Sequence, residues 1–243
     1  TAIHKGLERF IVEKAPASEA GAERLNVLLE EELAAAHLSP AQMALQRPLL
    51  PAMSRRYIDF EAARRAVRSR ILVEKRGEMT FDIAGRPFTL VAKADRLEAD
   101  ETAIDILDFK TGLPPTPKSV LAGYYPQLTL TAAIVMSGGF PGIDLRGRAI
   151  GELIYVRVAP DKVEPKSIRD RETGQPPEDM ARTALARLKS RLEAYAKPAK
   201  GYKSWTAPQF LKNRAGDYDQ LARLYEWYVL GDDEPSEIAE DAE

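Results

Sequence analysis

Apolar residues recur at helical spacing over residues 1–14, where His4, Leu7, Glu8 and Ile11 fall on one face. Pro16-Ala-Ser18 breaks that run and caps a second helix over 19–37. Ser39-Pro40 reads as an N-cap with Pro at the first helical position, opening a short helix to about Arg47. Pro48 and Pro51 interrupt the pattern, and helix resumes over 52–70. The period then falls to two. Residues 71–83 have strand character, 84–87 a turn, and 88–97 alternate, with Phe88, Leu90, Ala92 and Ala94 opposed to Val91, Lys93 and Asp95. Residues 103–111 alternate again. A helix capped by Thr116-Pro117 runs to Met136 and stops at Gly138-Gly139. A strand over 149–158, a helix over 177–196 and C-terminal helix over 210–213 and 217–230 complete the pattern. Helices, three strands, a helix, a strand and more helices predict an α/β (α+β) core with a helical N-terminal elaboration.

Composition narrows the chemistry. The 243 residues contain no cysteine, which excludes disulfides, thiol catalysis and cysteine-held zinc or iron–sulfur clusters. His4 and His37 are the only histidines, so a histidine-rich metal site is excluded as well. No run of about 18 apolar residues exists to span a membrane, and no signal peptide opens the chain. A cytoplasmic protein is expected. The first residue is Thr rather than Met, as expected of a piece excised from a longer protein.

The formal charge of −2 hides an asymmetry. Residues 231–243 form an acidic tail with seven acidic groups and no basic one, leaving 35 basic against 30 acidic residues elsewhere. Basic clusters lie at 47–76, including Arg64, Arg65 and Arg68, and at 181–203. Such clusters either bind a polyanion such as a nucleic-acid backbone or form solvated helix faces.

The sharpest chemistry lies on the second and third strands. Asp108 and Lys110 are two apart and project from one strand face, with Phe109 turned to the core. Asp95 ends the neighbouring strand and can add a second carboxylate. Two carboxylates suit a hard divalent cation, and a lysine beside them suits a phosphate or an attacking water. Spacing alone leaves the blander reading open, an Asp–Lys pair on a surface edge strand.

The segment from Gly85 to Gly112, with Ala94-Asp95-Arg96 and Asp108-Phe109-Lys110-Thr111-Gly112, is followed by Pro126-Gln127-Leu128 on the next helix. Together with His4 in the first helix, it resembles the PD-(D/E)XK nuclease superfamily, RecB-like branch. The stretch from Gly216 to Arg223, followed by Glu226-Trp227, resembles the C-terminal nuclease domain of AddB-type proteins, the alphaproteobacterial form most closely. These are the nuclease-bearing subunits of AddAB helicase–nucleases. The resemblance implies a restriction-endonuclease-like core, a central mixed sheet flanked by helices. It implies one nuclease domain over 1–230, with a helical part (1–70), a catalytic sheet core (71–158) and C-terminal helices (159–230).

Roles follow from the resemblance residue by residue. Asp95, Asp108, His4 and the backbone carbonyl of Phe109 would hold Mg²⁺. Lys110 would orient the water and stabilise the transition state, and Gln127 would orient Lys110 or the DNA. Glu74 is either a further acidic site residue or a salt-bridge partner. Arg64, Arg65, Arg68 and Arg96 are candidate DNA contacts, Arg96 being structural or phosphate-facing rather than catalytic. Imidazole favours Mn²⁺ over Mg²⁺, so a His4 ligand implies Mn²⁺ as a substitute.

Two departures matter. The family's helix motif ends in Tyr where this chain has Thr131, while Tyr124 and Tyr125 precede Gln127, Tyr124 on the face Gln127 would occupy. Many relatives clasp the ends of the domain with an iron–sulfur cluster, for which this chain has no cysteine. Packing by Trp205, Phe210, Tyr218, Tyr225, Trp227 and Tyr228 is expected instead. The implied function is a metal-dependent DNA exonuclease in double-strand-break repair and recombination, partnered by an AddA-type helicase. No GxxxxGK[ST] motif occurs, so no ATP site belongs to this piece. The alternatives are a catalytically silent module that holds DNA ends and a structural brace of the same assembly.

Overall fold

In a computed structural model the described residues are 1–142, 148–171 and 173–201. The chain divides into two compact units, Thr1–Ala194 and Tyr195–Glu243. The second lies almost wholly outside the described residues. So do the helices expected over 210–230, the six aromatic residues from Trp205 to Tyr228, and the acidic tail.

The first unit begins with four helices: α1 (Ala2–Val12), α2 (Glu19–Ala35), α3 (Pro40–Gln46) and α4 (Leu50–Val67), with a 3₁₀ turn at Arg47–Leu49. Thr1 caps α1, and Ser39 and Gln42 form a reciprocal capping box that starts α3. Three strands follow, β1 (Arg70–Ile83), β2 (Arg86–Ala99) and β3 (Ala103–Lys110). Then come α5 (Pro117–Leu121), α6 (Gln127–Met136), β4 (Ala149–Val158), β5 (Val163–Ser167) and α7 (Pro177–Tyr195).

The strands form one sheet in the order β1-β2-β3-β4-β5. Only β3 and β4 run parallel, joined across the sheet by α5 and α6; the other neighbours are antiparallel. The result is the mixed, helix-flanked sheet that the family resemblance implies. Two cores lie on its opposite faces. On one, α1, α2 and α4 pack Phe10, Leu25 and Tyr57 against Leu107, Phe109 and Val156. On the other, α6 and α7 pack Leu128, Ile134 and Met180 against Leu97, Ile106 and Leu153. Gly6 permits the close crossing of α1 and α2, since a Cβ there would stand 2.6 Å from Leu29 Cδ2.

Two expectations change. The helix expected over 117–136 is two helices, because Gly123 takes φ +81° and Pro126 cannot donate a backbone N–H. Tyr124 therefore lies outside the helix of Gln127 and shares no helical face with it. The short strand β5 carries little apolar signal and contains Pro165, which is tolerated because β5 is an edge strand. Among the described residues no helix is long and apolar enough to cross a membrane.

Candidate active site

The site forms where the sheet splits. β2 pairs with β3 only from Arg96–Leu107 to Ala99–Ile104, while its earlier part stays with β1 and leaves β3. At the point of parting the Asp95 carboxylate replaces the missing ladder: its Oδ2 accepts the Phe109 N–H at 2.9 Å. Glu74 lies at the same break, between Val73, paired with Arg96, and Lys75, paired with Ala94. Its φ of +53° is costly for a residue with a Cβ and marks the bend of the departing hairpin. The Glu74 carboxylate forms an ion pair with Lys93.

His4 reaches the split from the first turn of α1. Its Nδ1 hydrogen-bonds the Thr1 hydroxyl. Its Nε2 lies 2.9 Å from the Phe109 carbonyl and 3.5 Å from Asp95 Oδ2. With Nδ1 accepting from Thr1, the Nε2 proton sits between a carbonyl and a carboxylate. The bond to Asp95 raises the imidazole pKa above its ordinary value, burial opposes it, and the Phe109 carbonyl adds to it.

Asp108 stands beside this group on β3, 3% exposed. Gln127 of α6 donates from Nε2 to Asp108 Oδ1 at 2.5 Å and accepts from Lys110 Nζ at 3.1 Å. One side chain thus fixes both charged partners. Lys110 Nζ lies 2.6 Å from Asp108 Oδ2, a close ion pair. The ammonium also lies 5.5 Å from the centroid of the Tyr155 ring. Burial and the Asp95 charge push the Asp108 carboxyl up to about 6, with Lys110 and His4 pulling the other way.

The structure therefore brings His4, Asp95, Asp108, the Phe109 carbonyl, Lys110 and Gln127 together at the split. It also adds Tyr155, which sequence reasoning missed. Tyr155 is opposite Asp108 in the parallel β3–β4 register and fully buried. The signal available was a tyrosine inside the apolar strand Leu153-Ile-Tyr-Val156, since a buried phenol needs a polar neighbour.

The proposed DNA-contacting arginines are used inside the fold. Arg64 pairs with Glu98 and Asp105, Arg68 with Asp100 and Asp105, Arg65 with Glu61, and Arg96 with Glu61 and Glu98. Arg96 is fully buried, and the side chains of Arg64 and Arg68 are 11% and 15% exposed. Nearby carboxylates take the guanidinium groups of Arg64, Arg68 and Arg96, while the Arg65 side chain stays 32% exposed beside Glu61.

Among the described residues no three His, Asp or Glu side chains are already gathered around a cation position. The donor chemistry nonetheless fits a hard divalent cation. The buried Asp108 carboxylate, the Phe109 carbonyl, Asp95 and His4 Nε2 make an oxygen-rich set, and the proton on His4 occupies the point between two of them. A cation there requires His4 and Asp108 to be unprotonated.

This gives a pH prediction. The folded pKa of Asp108 lies above the unfolded value near 4, so this group favours the folded chain at low pH and loses that contribution as pH rises through about 6. His4, also raised, loses its contribution as pH rises through its folded pKa. Cation binding should act in the opposite sense. The rise in Tm on adding Mn²⁺ or Mg²⁺ is expected to be large near pH 7.5, to shrink toward zero near pH 5, and to be absent in Asp108→Asn. Calorimetry showing an equal rise at both pH values would remove these two groups from the metal site.

The sequence relationships agree in class. A model of the PD-(D/E)XK nuclease superfamily matches residues 1–207, and the chain belongs to that superfamily. An uncharacterized protein of Rickettsia felis is 37% identical over 92 residues, 37% of this chain and 11% of that one. The uncharacterized protein RT0391 of Rickettsia typhi is 32% identical over 115 residues, 47% of this chain and 13% of that one. The chain thus spans only about a ninth to an eighth of the length of the curated relatives it matches. The crystal structure of SSO0001 covers 79% of this chain and 73% of its own at 12% identity, with a TM-score of 0.33, too slight a likeness to carry an argument. Nuclease chemistry and the use of divalent metals are the usual properties of the superfamily.

Proposed function

We propose that this chain is a Mg²⁺-dependent deoxyribonuclease domain, with Mn²⁺ able to substitute. The observation that supports this reading is the split between β2 and β3, which brings the Asp95 carboxylate to the Phe109 N–H, beside the Asp108–Lys110 pair and the Phe109 carbonyl that His4 contacts. His4, Asp95, Asp108 and the Phe109 carbonyl would hold the cation. When bound, it supplies Lewis-acid polarisation of the phosphate and a more acidic water. Lys110, fixed by Gln127, orients the attacking water and meets the charge growing on the phosphoryl oxygens. The water oxygen bonds to phosphorus as the bond to the 3′-oxygen breaks. One water proton ends on that oxygen, leaving a 3′-hydroxyl and a 5′-phosphate. The face of Tyr155 adds a cation–π contact to the ammonium.

The wider setting we infer is a helicase–nuclease of AddAB type in the cytoplasm. This domain would act as an exonuclease on DNA ends in double-strand-break repair and recombination, and an AddA-type partner would feed the strand. The resemblance of the stretch from Gly216 to Arg223, followed by Glu226-Trp227, to AddB-type proteins is what motivates that reading. The test is cleavage of end-labelled linear DNA with Mg²⁺, Mn²⁺ or EDTA, by the 243-residue chain and by the chain joined to a helicase partner. Metal-dependent shortening is expected and EDTA should abolish it. DNA binding with no cleavage in either form would leave a DNA-holding module in place of the enzyme.

A further inference from the structure

Arg157 lies beside the site on the neighbouring strand. In the parallel β3–β4 register Asp108 is opposite Tyr155, and Lys110 is opposite Arg157. Tyr155 and Arg157 are two apart, so their side chains leave the same face of β4. Val156 and Val158, on either side of Arg157, are buried in the core of the opposite face. The face of Arg157 is therefore that of Tyr155, whose ring centroid lies 5.5 Å from Lys110 Nζ. Paired strands are about 4.8 Å apart. The Lys110 and Arg157 stems thus rise from adjacent points near the carboxyl ends of two parallel strands.

Arg64, Arg65, Arg68 and Arg96 each meet a carboxylate within hydrogen-bond reach. Arg157 is held differently. Its Nε is buried with no hydrogen-bond partner among the described residues. Its Nη2 lies 3.6 Å from Asp161 Oδ1, beyond hydrogen-bond distance, and the Asp161 side chain is 65% exposed. Glu164, opposite Arg157 on β5, pairs with Lys162 at 2.6 Å. The Arg157 side chain is nevertheless only 22% exposed. A buried donor without an acceptor is costly, and like charges opposite one another on neighbouring strands are unfavourable. Asp108 compensates Lys110, and an anion over Arg157 would compensate the second cation. The guanidinium is always charged, and its planar fork matches the oxygens of a phosphate.

We propose that Arg157 holds the backbone phosphate next to the one that Lys110 meets, and so sets the bound strand in register with the site. The inference rests on the deoxyribonuclease reading above. A phosphate contact carries no sequence information, so Arg157 contributes affinity and position rather than base choice.

The test is binding of the 243-residue chain to a fluorescent linear DNA with a single-stranded overhang, read by anisotropy in EDTA over a series of salt concentrations. Arg157→Met is expected to weaken binding by about tenfold at low salt. It should also make the slope of log K against log[salt] shallower by about 0.7–0.9, the share of one phosphate. Arg157→Gln, neutral but polar, should match it, and melting curves of both check that the fold is kept. Arg157→Lys retains the charge and should retain the slope. Asp161→Asn removes the nearby carboxylate but not the cation, and should bind at least as tightly as the wild type. An unchanged slope in the two neutral variants, a loss in Asp161→Asn equal to theirs, or no binding by the wild-type chain would each overturn the proposal. Cleavage assayed in parallel with Mg²⁺ separates the two readings. A wild-type chain that cuts, with Arg157→Met binding and cutting as the wild type does, keeps the nuclease and removes the phosphate contact. A wild-type chain that never cuts, but whose salt slope depends on Arg157, does the reverse.

Discussion

Replacing Lys110 by alanine is expected to lower metal-dependent DNA cleavage by about 10²- to 10⁴-fold while leaving the fold intact. Lys110 ends β3 with its side chain 31% exposed, so truncating it opens no cavity in either core. What it removes is chemical. Nζ is the cation nearest Asp108, at 2.6 Å, and it is held in place by Gln127 Oε1 and the face of Tyr155. Without it no ammonium meets the charge developing on the phosphate, and Asp108 loses the neighbour that most lowers its pKa. The apparent pKa of the metal-binding step should therefore rise as the rate falls. Gln127→Ala should give a smaller loss, because it frees both partners without deleting either. Rates measured across pH, with circular dichroism to confirm the fold, check the prediction. Wild-type cleavage by Lys110→Ala would place the chemistry elsewhere.

Much of this arrangement can be read from the residues, for particular reasons. Asp108 and Lys110 share a strand face because the strand period is two, so their juxtaposition needs no knowledge of the rest of the molecule. Asp95 needs more. It is the neighbour of Asp108 only because β2 stops pairing with β3 at Arg96, and no local pattern records where a ladder ends. Tyr155 needs the strand order, since β4 lies parallel to β3 through a crossover. The break between α5 and α6 was legible in Gly123 and Pro126, but the apolar run on both sides masks it. The arginines show the opposite case. A run of basic residues on α4 looks the same whether it faces phosphate or internal carboxylates. The clue lay elsewhere, in Glu98 and Asp105, acidic residues flanked by apolar ones in Leu97-Glu98-Ala99 and Ile104-Asp105-Ile106. Carboxylates buried there need cationic partners.

That network makes Arg96 the residue whose loss should most destabilise the fold. Its Nε donates to Glu98 at 2.6 Å and its Nη1 to Glu61 at 2.5 Å, with the Tyr57 hydroxyl 3.3 Å away. All three partners are fully buried, and desolvation and the Arg96 charge oppose one another at the Tyr57 phenol. The pairs join α4 to β2, the strand that carries Asp95 on the adjacent residue. Arg96→Met keeps an unbranched apolar stem but leaves Glu61 and Glu98 short of a charge partner in a dry interior, which costs about 3–5 kcal/mol. For a unit of this size that is a fall in Tm of about 6–20 °C. The partners supply the control. Arg65 still holds Glu61 and Arg64 still holds Glu98, so adding Glu61→Gln to Arg96→Met removes one stranded charge and should recover part of the loss. If Arg96→Met melts with the wild type, the buried pairs do not hold α4 against the sheet. If the double variant melts lower than the single one, a stranded charge is not the cause. Calorimetry of the three proteins at one pH decides between these outcomes.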